Sequence, residues 1–496
     1  MNVYLMFNNR SFCLDKQRVE KTKDLVRDLE LETIFKEMSK GDEFLYEISK
    51  NAVLQSLHEK DEILYRQEIL KDCIKNQNLT REIYKLTQVP IKKKQDHWLS
   101  IFGRTPSSLL SSSVSLMEMY LGVFDELRIL ADKNVQKLES SGFIRLFQEI
   151  KDELNEKYLR EIKEYLKELK FANGALISAK LGDTSGSKEY ILRRDNSHKK
   201  GWFGRFLTLK PKRFSHTLHV RDDAGAKVLR NIRDEALNDV ASSLSQAVAH
   251  VENFFDSLRK EIAFFIGCLN LLKKLEELDE PYCFAQLFSQ DLRVFSASSL
   301  YDISLSLVMD KKIVSNDIKA DEKELFIITG ANQGGKSTFL KSVGLAQLLV
   351  QCGMFAPAKS LKINICSALF THFKKEEDST MQSGKFDEEL KRVSEIIDNI
   401  KPNGMILFNE SFASTNEREG SLISEQIILA LLQKHIKIFF VTHMYELANS
   451  LYQKNLNQSL FLRAKREKDG LRNFHMIESK PLSTSFAKDI YKEIFL

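Results

Sequence analysis

Residues 330–337 read Gly-Ala-Asn-Gln-Gly-Gly-Lys-Ser, a loop of the form G-x-x-x-x-G-K-[ST]. The run before it, ELFIIT at 324–329, is short, apolar and rich in β-branched residues, so it reads as a buried strand. The run after it, TFLKSVGLAQLLVQ, repeats apolar residues at helical spacing. Strand, loop and helix in that order constrain the fold more than any other feature. Such a unit belongs to an α/β domain, and the last 200 or so residues alternate strand-like and helical runs accordingly. Successive backbone N–H groups of the loop and the helix N-terminus point at an anion. Lys336 would reach the β- and γ-phosphates of a nucleoside triphosphate, and the Ser337 hydroxyl would sit on Mg²⁺.

Composition limits the rest. A chain of 496 residues exceeds one core, so about two to four domains are expected. Only 7 prolines and 20 glycines, with many Leu, Lys and Glu, favour a largely helical chain. The net charge of +5 balances 74 basic against 69 acidic residues, so any basic surface must be local. None of the 6 cysteines forms a C-x-x-C pair, which argues for buried thiols in a reducing cytosol rather than zinc or disulfides. The opening MNVYLMFNNR lacks a basic region before its apolar run and reads as a strand, not a signal peptide. Apolar stretches such as 263–272 fall short of the roughly 20 residues that span a bilayer, so a cytoplasmic protein without membrane contact is expected.

Four segments follow from the patterning. Residues 1–173 read as a helical core, with amphipathic spacing over 146–170 and a Ser-rich patch at 105–115 marking a turn and helix start. Residues 174–222 alternate around a Gly/Ser turn and read as a β-rich, basic insert. A helical pattern returns from 223 and runs past fifty residues without proline, with one break expected near Gly267; the segment 223–300 would return to the core. Residues 301–496 form the nucleotide-binding domain.

Downstream, MILFNES at 405–411 is an apolar strand ending in polar residues. Such a strand normally ends in a carboxylate that holds Mg²⁺, followed by a glutamate that orients the attacking water. Glu410 fits the general base. Asn409 takes the metal position, where aspartate is usual; its carbonyl oxygen can join the Mg²⁺ shell without charge, so weaker metal binding and slower turnover are expected. A further buried strand ends at Thr442–His443, where α/β sheets bind ligands, and places His443 for a γ-phosphate contact.

These residues together resemble the ATPase domain of the MutS family, of the ABC-type ATPase class. TGANQGGKST at 329–338 is similar to that family's TGPNMGGKST, with Ala331 for Pro and Gln333 for Met. On this match the nucleotide-binding residues are Gly330, Ala331, Asn332, Gln333, Gly334, Gly335, Lys336, Ser337 and Thr338. GMFAPA at 353–358 resembles G-x-F-V-P-A, SNDI at 315–318 resembles P-N-D, and VTHMYEL resembles ATHYHEL, which gives His443 the switch-histidine role. NESFASTNEREG resembles DEIGRGTST-x-x-G, so residues 414–417 take the place of the interface loop and Gly420 is retained. SGKFDEELKR at 383–392 stands where the family has S-T-F-M-x-E, implying that Ser383 and Gly384 reach the γ-phosphate bound by a partner subunit. The match there is looser and also suits a plain solvated helix. The resemblance implies ATP and Mg²⁺ as cofactors, a homodimer burying two ATP molecules, and helical lever and clamp elements before the ATPase. No aromatic lies between Asp310 and Lys323 to stack on adenine, so the base pocket is unassigned.

The family's mismatch sensors carry a Phe-x-Glu wedge in an N-terminal domain from which this chain would be free. Its own Phe-x-Glu triplets at 35–37, 124–126 and 147–149 all lie on helical patterns and read as coincidence. The best DNA-binding segment is 193–214, with eight Lys or Arg against one Asp. Arg193, Arg194, Lys199, Lys200, Arg205, Lys210, Lys212 and Arg213 would neutralise phosphates, and Trp202 would stack on distorted bases. The same loop would also suit a solvated surface. The expected function is a MutS-like ATPase that binds mismatched, branched or distorted DNA. The alternative is a nucleotide-switched scaffold with weak ATPase activity that binds protein partners, a reading favoured by Asn409 and the loose 383–392 segment.

Overall fold

The computed structural model describes residues 2–15, 17, 22–96, 105–172, 174–181, 187–194, 214–375, 384–466 and 472–482. By its contacts the chain divides into two compact units. One holds residues 1–3, 81–138 and 144–259; the other holds 4–80, 139–143 and 260–496. The second unit therefore gathers the first 80 residues, apart from the extreme N-terminus, with the last 237.

The first unit is helical with one hairpin. Helix α6 (Pro106–Asn134) starts where the Ser-rich patch predicts, with Pro106 at its first position and a reciprocal cap between Thr105 and Ser108. Tyr120 and Phe124 on α6 pack against Phe255, with ring centroids 5.3 Å and 4.8 Å apart. The amphipathic spacing over 146–170 falls on two helices, α7 (Ser141–Glu153) and α8 (Glu156–Glu168). Asn155 separates them, because its side chain accepts the Tyr158 N–H and so caps a new helix. Strands β1 (Leu176–Leu181) and β2 (Ser187–Arg193) pair antiparallel, as the alternation predicts. Helix α9 (Asp223–Glu277) is continuous over 55 residues, without the break expected at Gly267, and its residues from 260 onward count with the second unit. Gly267 serves close packing instead: a Cβ there would stand 2.7 Å from Ser49 Oγ and 3.1 Å from Met38 Cε.

In the second unit the opening residues form no strand among those described. The buried carboxylate of Glu261 accepts the backbone N–H groups of Leu5, Met6 and Phe12 at 2.5–3.0 Å, which satisfies a segment that has no ladder partner. The Phe-x-Glu phenylalanines Phe35, Phe124 and Phe147 are buried on helices, consistent with core roles.

A six-stranded sheet carries the glycine loop. Its strands are β6 (Leu325–Thr329), β8 (Leu369–Phe373), β9 (Met405–Asn409), β10 (Lys437–Val441), β11 (Ser459–Arg466) and β12 (Arg472–Glu478), in the order β12-β11-β6-β10-β9-β8. All pairings are parallel except β11 with β12. Every residue of β6 and β10 is buried, as expected where both faces of a parallel sheet are covered. On one face Ile327, Phe408 and Phe440 pack against Ile428, Leu431 and Leu447 of helices α13 (Glu417–Gln433) and α14 (Tyr445–Gln453). On the other, Phe326 and Phe439 stack at 3.9 Å, and Phe295 packs edge-on to both. Phe295 belongs to a second, four-stranded sheet that includes β5 (Asn316–Lys319).

Candidate active site

Parallel register brings the functional strand ends together. Val441 of β10 is paired with Ile328 of β6 on one side and Asn409 of β9 on the other. The glycine loop, Asn409–Glu410 and Thr442–His443 thus emerge at the same edge, where such sheets hold ligands.

Between β6 and helix α11 (Lys336–Gln351) the loop turns through three left-handed residues: Gly330 at φ 120°, Gln333 at 58° and Gly335 at 85°. Glycine removes the steric cost at 330 and 335, while Gln333 carries it. The Lys336 side chain is buried, and its ammonium donates to the carbonyls of Gly330 and Ala331, both at 3.0 Å. Burial pushes its pKa below the usual value, and the Glu410 carboxylate opposes that shift. The Ser337 hydroxyl donates to Asn409 Oδ1 at 2.9 Å. Two uncharged oxygens therefore meet at the mouth of α11, a donor set suited to a hydrated hard cation.

A cavity of about 760 Å³ opens over this loop, lined by residues 332–338, Glu410 and Phe474, among others. Glu410 is half-buried at φ 54°, with its N–H donated to Val441 O at 2.9 Å. His443 is exposed and is not among the lining residues; Thr442 before it and Met444 after it are buried. Gly384 caps helix α12 (Lys385–Asn399) in an extended conformation, whereas Ser383 lies outside the described residues.

Phe474 has no counterpart in the sequence reading. It sits on β12, 44% exposed, and a Cβ at Gly335 would lie 3.3 Å from its Cβ. Asn316 of the SNDI element holds it there. The Asn316 amide donates to Phe474 O at 3.3 Å and accepts the Met476 N–H at 2.7 Å. An aromatic side chain thus lies beside the glycine loop, supplied by a strand far downstream of the segment where one was sought.

Of the basic segment only residues 193, 194 and 214 are described. Arg193 donates to Ser178 Oγ at 2.9 Å. Arg194 donates to Glu168 at 2.7 Å and stacks over Tyr165 at 5.1 Å. Both guanidinium groups brace local structure. Lys199, Lys200, Trp202, Arg205, Lys210, Lys212 and Arg213 lie outside the described residues.

The sheets, the helices packed on them and the glycine loop define a protein of mixed helical and sheet architecture. Comparison with known proteins narrows this. Residues 58–278 match the MutS2 N-terminal domain and residues 326–495 match MutS domain V. The chain belongs to the MutS family. It is 29% identical over 217 residues to "DNA mismatch repair protein MutS" of Clostridium kluyveri, covering 43% of this chain and 24% of that protein. It is 31% identical over 206 residues to the protein of the same name in Bacillus velezensis, covering 39% and 24%. Against "MutS protein homolog 4" of Mus musculus it is 32% identical over 140 residues, covering 28% and 15%. The aligned stretch thus spans a quarter or less of each of these relatives. Among the described residues no helix is long and apolar enough to cross a membrane.

Proposed function

We propose that the chain is a DNA-coupled ATPase of the MutS type, with the ABC-type arrangement, in which two copies close around two ATP molecules. The observation that carries this reading is the meeting of Ser337, Asn409 and Glu410 at the phosphate loop, in a segment matching MutS domain V. The loop N–H groups and Lys336 bind the triphosphate, Lys336 exchanging its carbonyl partners for phosphate oxygens. Ser337 and Asn409 would hold Mg²⁺, which when bound neutralises developing phosphate charge. Glu410 accepts the proton of the attacking water, and His443 contacts the γ-phosphate after closure. Residues 383–392 of each copy complete the other copy's site, and the long helices α6 and α9 carry the closure to DNA. The names of these relatives, as DNA mismatch repair proteins, support mismatched DNA as the ligand class.

Steady-state ATP hydrolysis tests this, measured alone and with perfect, mismatched or branched duplex, against Glu410→Gln as the blank. Turnover lost in the variant and changed by one DNA form supports the reading and identifies the DNA class. Nucleotide binding without turnover and without a DNA response overturns it. DNA affinity should also fall steeply with salt, since phosphate contacts release counterions.

A further inference from the structure

The loop that carries Glu410 is strained and gripped from an unexpected direction. Glu410 and Phe412 both have left-handed backbones, at φ 54° and 63°, within three residues of each other. Side chains other than glycine hold that conformation only under strain, so the surroundings must enforce it. Three sets of contacts do so. Phe412 is fully buried, and its ring stacks against His372 with centroids 5.8 Å apart. Ser411 Oγ lies 2.7 Å from both the carbonyl oxygen and Nδ1 of His372. Both contacts are satisfied when the hydroxyl donates to the carbonyl and Nδ1–H donates to the hydroxyl oxygen.

The third set comes from α12. The carboxylate of Glu389, 6% exposed, takes the Phe412 N–H on one oxygen and the Ser414 hydroxyl on the other, both at 2.9 Å. Ionised acceptors make the stronger hydrogen bonds, and a bidentate grip sets orientation as well as distance. One turn further along α12, Arg392 donates to Phe373 O at the end of β8, at 3.2 Å. The helix is therefore seated on the sheet edge while Glu389 reaches across to the loop after β9.

We propose that Glu389 is a positioning residue for Glu410, transmitting the placement of helix α12 to the loop that presents the general base. The proposal rests on the reading of the site as a hydrolytic one. The N-terminal turn of α12 follows directly on Gly384, which the proposed reading assigns to the partner's γ-phosphate. A movement of α12 when two copies close would then shift residues 411–414 through these two hydrogen bonds. Glu410 would be poised only when the partner's nucleotide is engaged.

The test is Glu389→Gln in the full chain, with Glu389→Asp beside it. The amide keeps the size but turns an N–H₂ toward one of the two donors; aspartate keeps the charge on a shorter arm. The expected result is a fall in kcat of about tenfold or more with KM for ATP changed less than about twofold, since misplacement acts on the chemical step. Aspartate should recover part of the loss. Hydrogen exchange in residues 410–416 should accelerate in Glu389→Gln while exchange in 330–345 stays unchanged. In a Glu410→Gln background, Glu389→Gln should lower single-turnover hydrolysis no further. Wild-type kcat in Glu389→Gln, or equal losses in kcat and nucleotide affinity, would overturn the proposal. So would fast exchange of 410–416 in the wild type, whatever its turnover. A wild type that binds ATP without hydrolysing it would sink the underlying functional reading, a result recognisable before any Glu389 variant is made.

Discussion

Adding a single methyl group at Gly420 sets two effects of opposite sign against each other. Gly420 is the fourth residue of α13, where alanine is favoured over glycine by about 1 kcal/mol in an unobstructed helix. Here a Cβ would stand 2.5 Å from the Phe412 carbonyl oxygen, closer than the 3.0 Å that real Cβ atoms keep. The carbonyl must retreat by at least about half an ångström. It has little room: the Phe412 N–H is held by Glu389 at 2.9 Å, and its ring is fully buried against His372. The helix cannot retreat either, because Ser421, Ser424 and Ile428 are buried. Overpacking of this kind costs about 1–3 kcal/mol, and a stretched bond to a carboxylate adds to it. Net of the propensity gain, Gly420→Ala should destabilise the protein by about 1–2 kcal/mol. Because the displaced atoms carry Glu410, kcat should also fall about tenfold. Urea unfolding followed by circular dichroism and steady-state ATP hydrolysis read the two effects. A variant about 1 kcal/mol more stable than wild type, with unchanged turnover, would refute the reasoning, since propensity alone would then have operated.

Three further perturbations have distinct signatures. Phe474→Ala removes the aromatic face beside Gly335 and should weaken ATP affinity about tenfold, the scale of one base–aromatic stack; an unchanged dissociation constant would exclude Phe474 from the base site. Asn409→Asp adds charge at the Ser337 partner and should lower the Mg²⁺ needed for half-maximal hydrolysis by about threefold or more, with binding in EDTA unaltered. Burial, and then the Arg392 charge, pushes the His372 pKa down from 6.5 to about 3. The unfolded chain therefore binds a proton that the folded one refuses, and stability is lost as pH falls from 6.5 toward 3. This one group should cost about 2 kcal/mol between pH 8 and pH 5, measured as a urea midpoint shift that shrinks in His372→Asn.

The site divides cleanly into what was legible and what was not. The glycine loop, its strand and its helix, and the strands ending at Asn409 and Val441, could be read because each is a local pattern with its own period. Their convergence could be anticipated because parallel sheets put strand ends on one edge. The continuous helix through Gly267 was misread because the glycine answers to Met38 and Ser49, which are distant in sequence. The opening decapeptide was misread for the same reason: its partner is Glu261, not another strand. Arg193 and Arg194 looked like free cations in the sequence, yet each has a neighbour across the hairpin or on α8.

By itself, the sequence determined the phosphate loop, the alternation that makes a covered parallel sheet, the acidic strand end and the family. These depend on residue type at short spacing, and such spacing is set by backbone geometry alone. Only the tertiary structure decided that Phe474 lies against Gly335, that Ser337 meets Asn409 at hydrogen-bond distance, and that Glu389 grips the loop of Glu410. Those contacts join segments with no common period. Their geometry is set by how the sheet, its helices and β12 pack, a balance of many burials that no local pattern records.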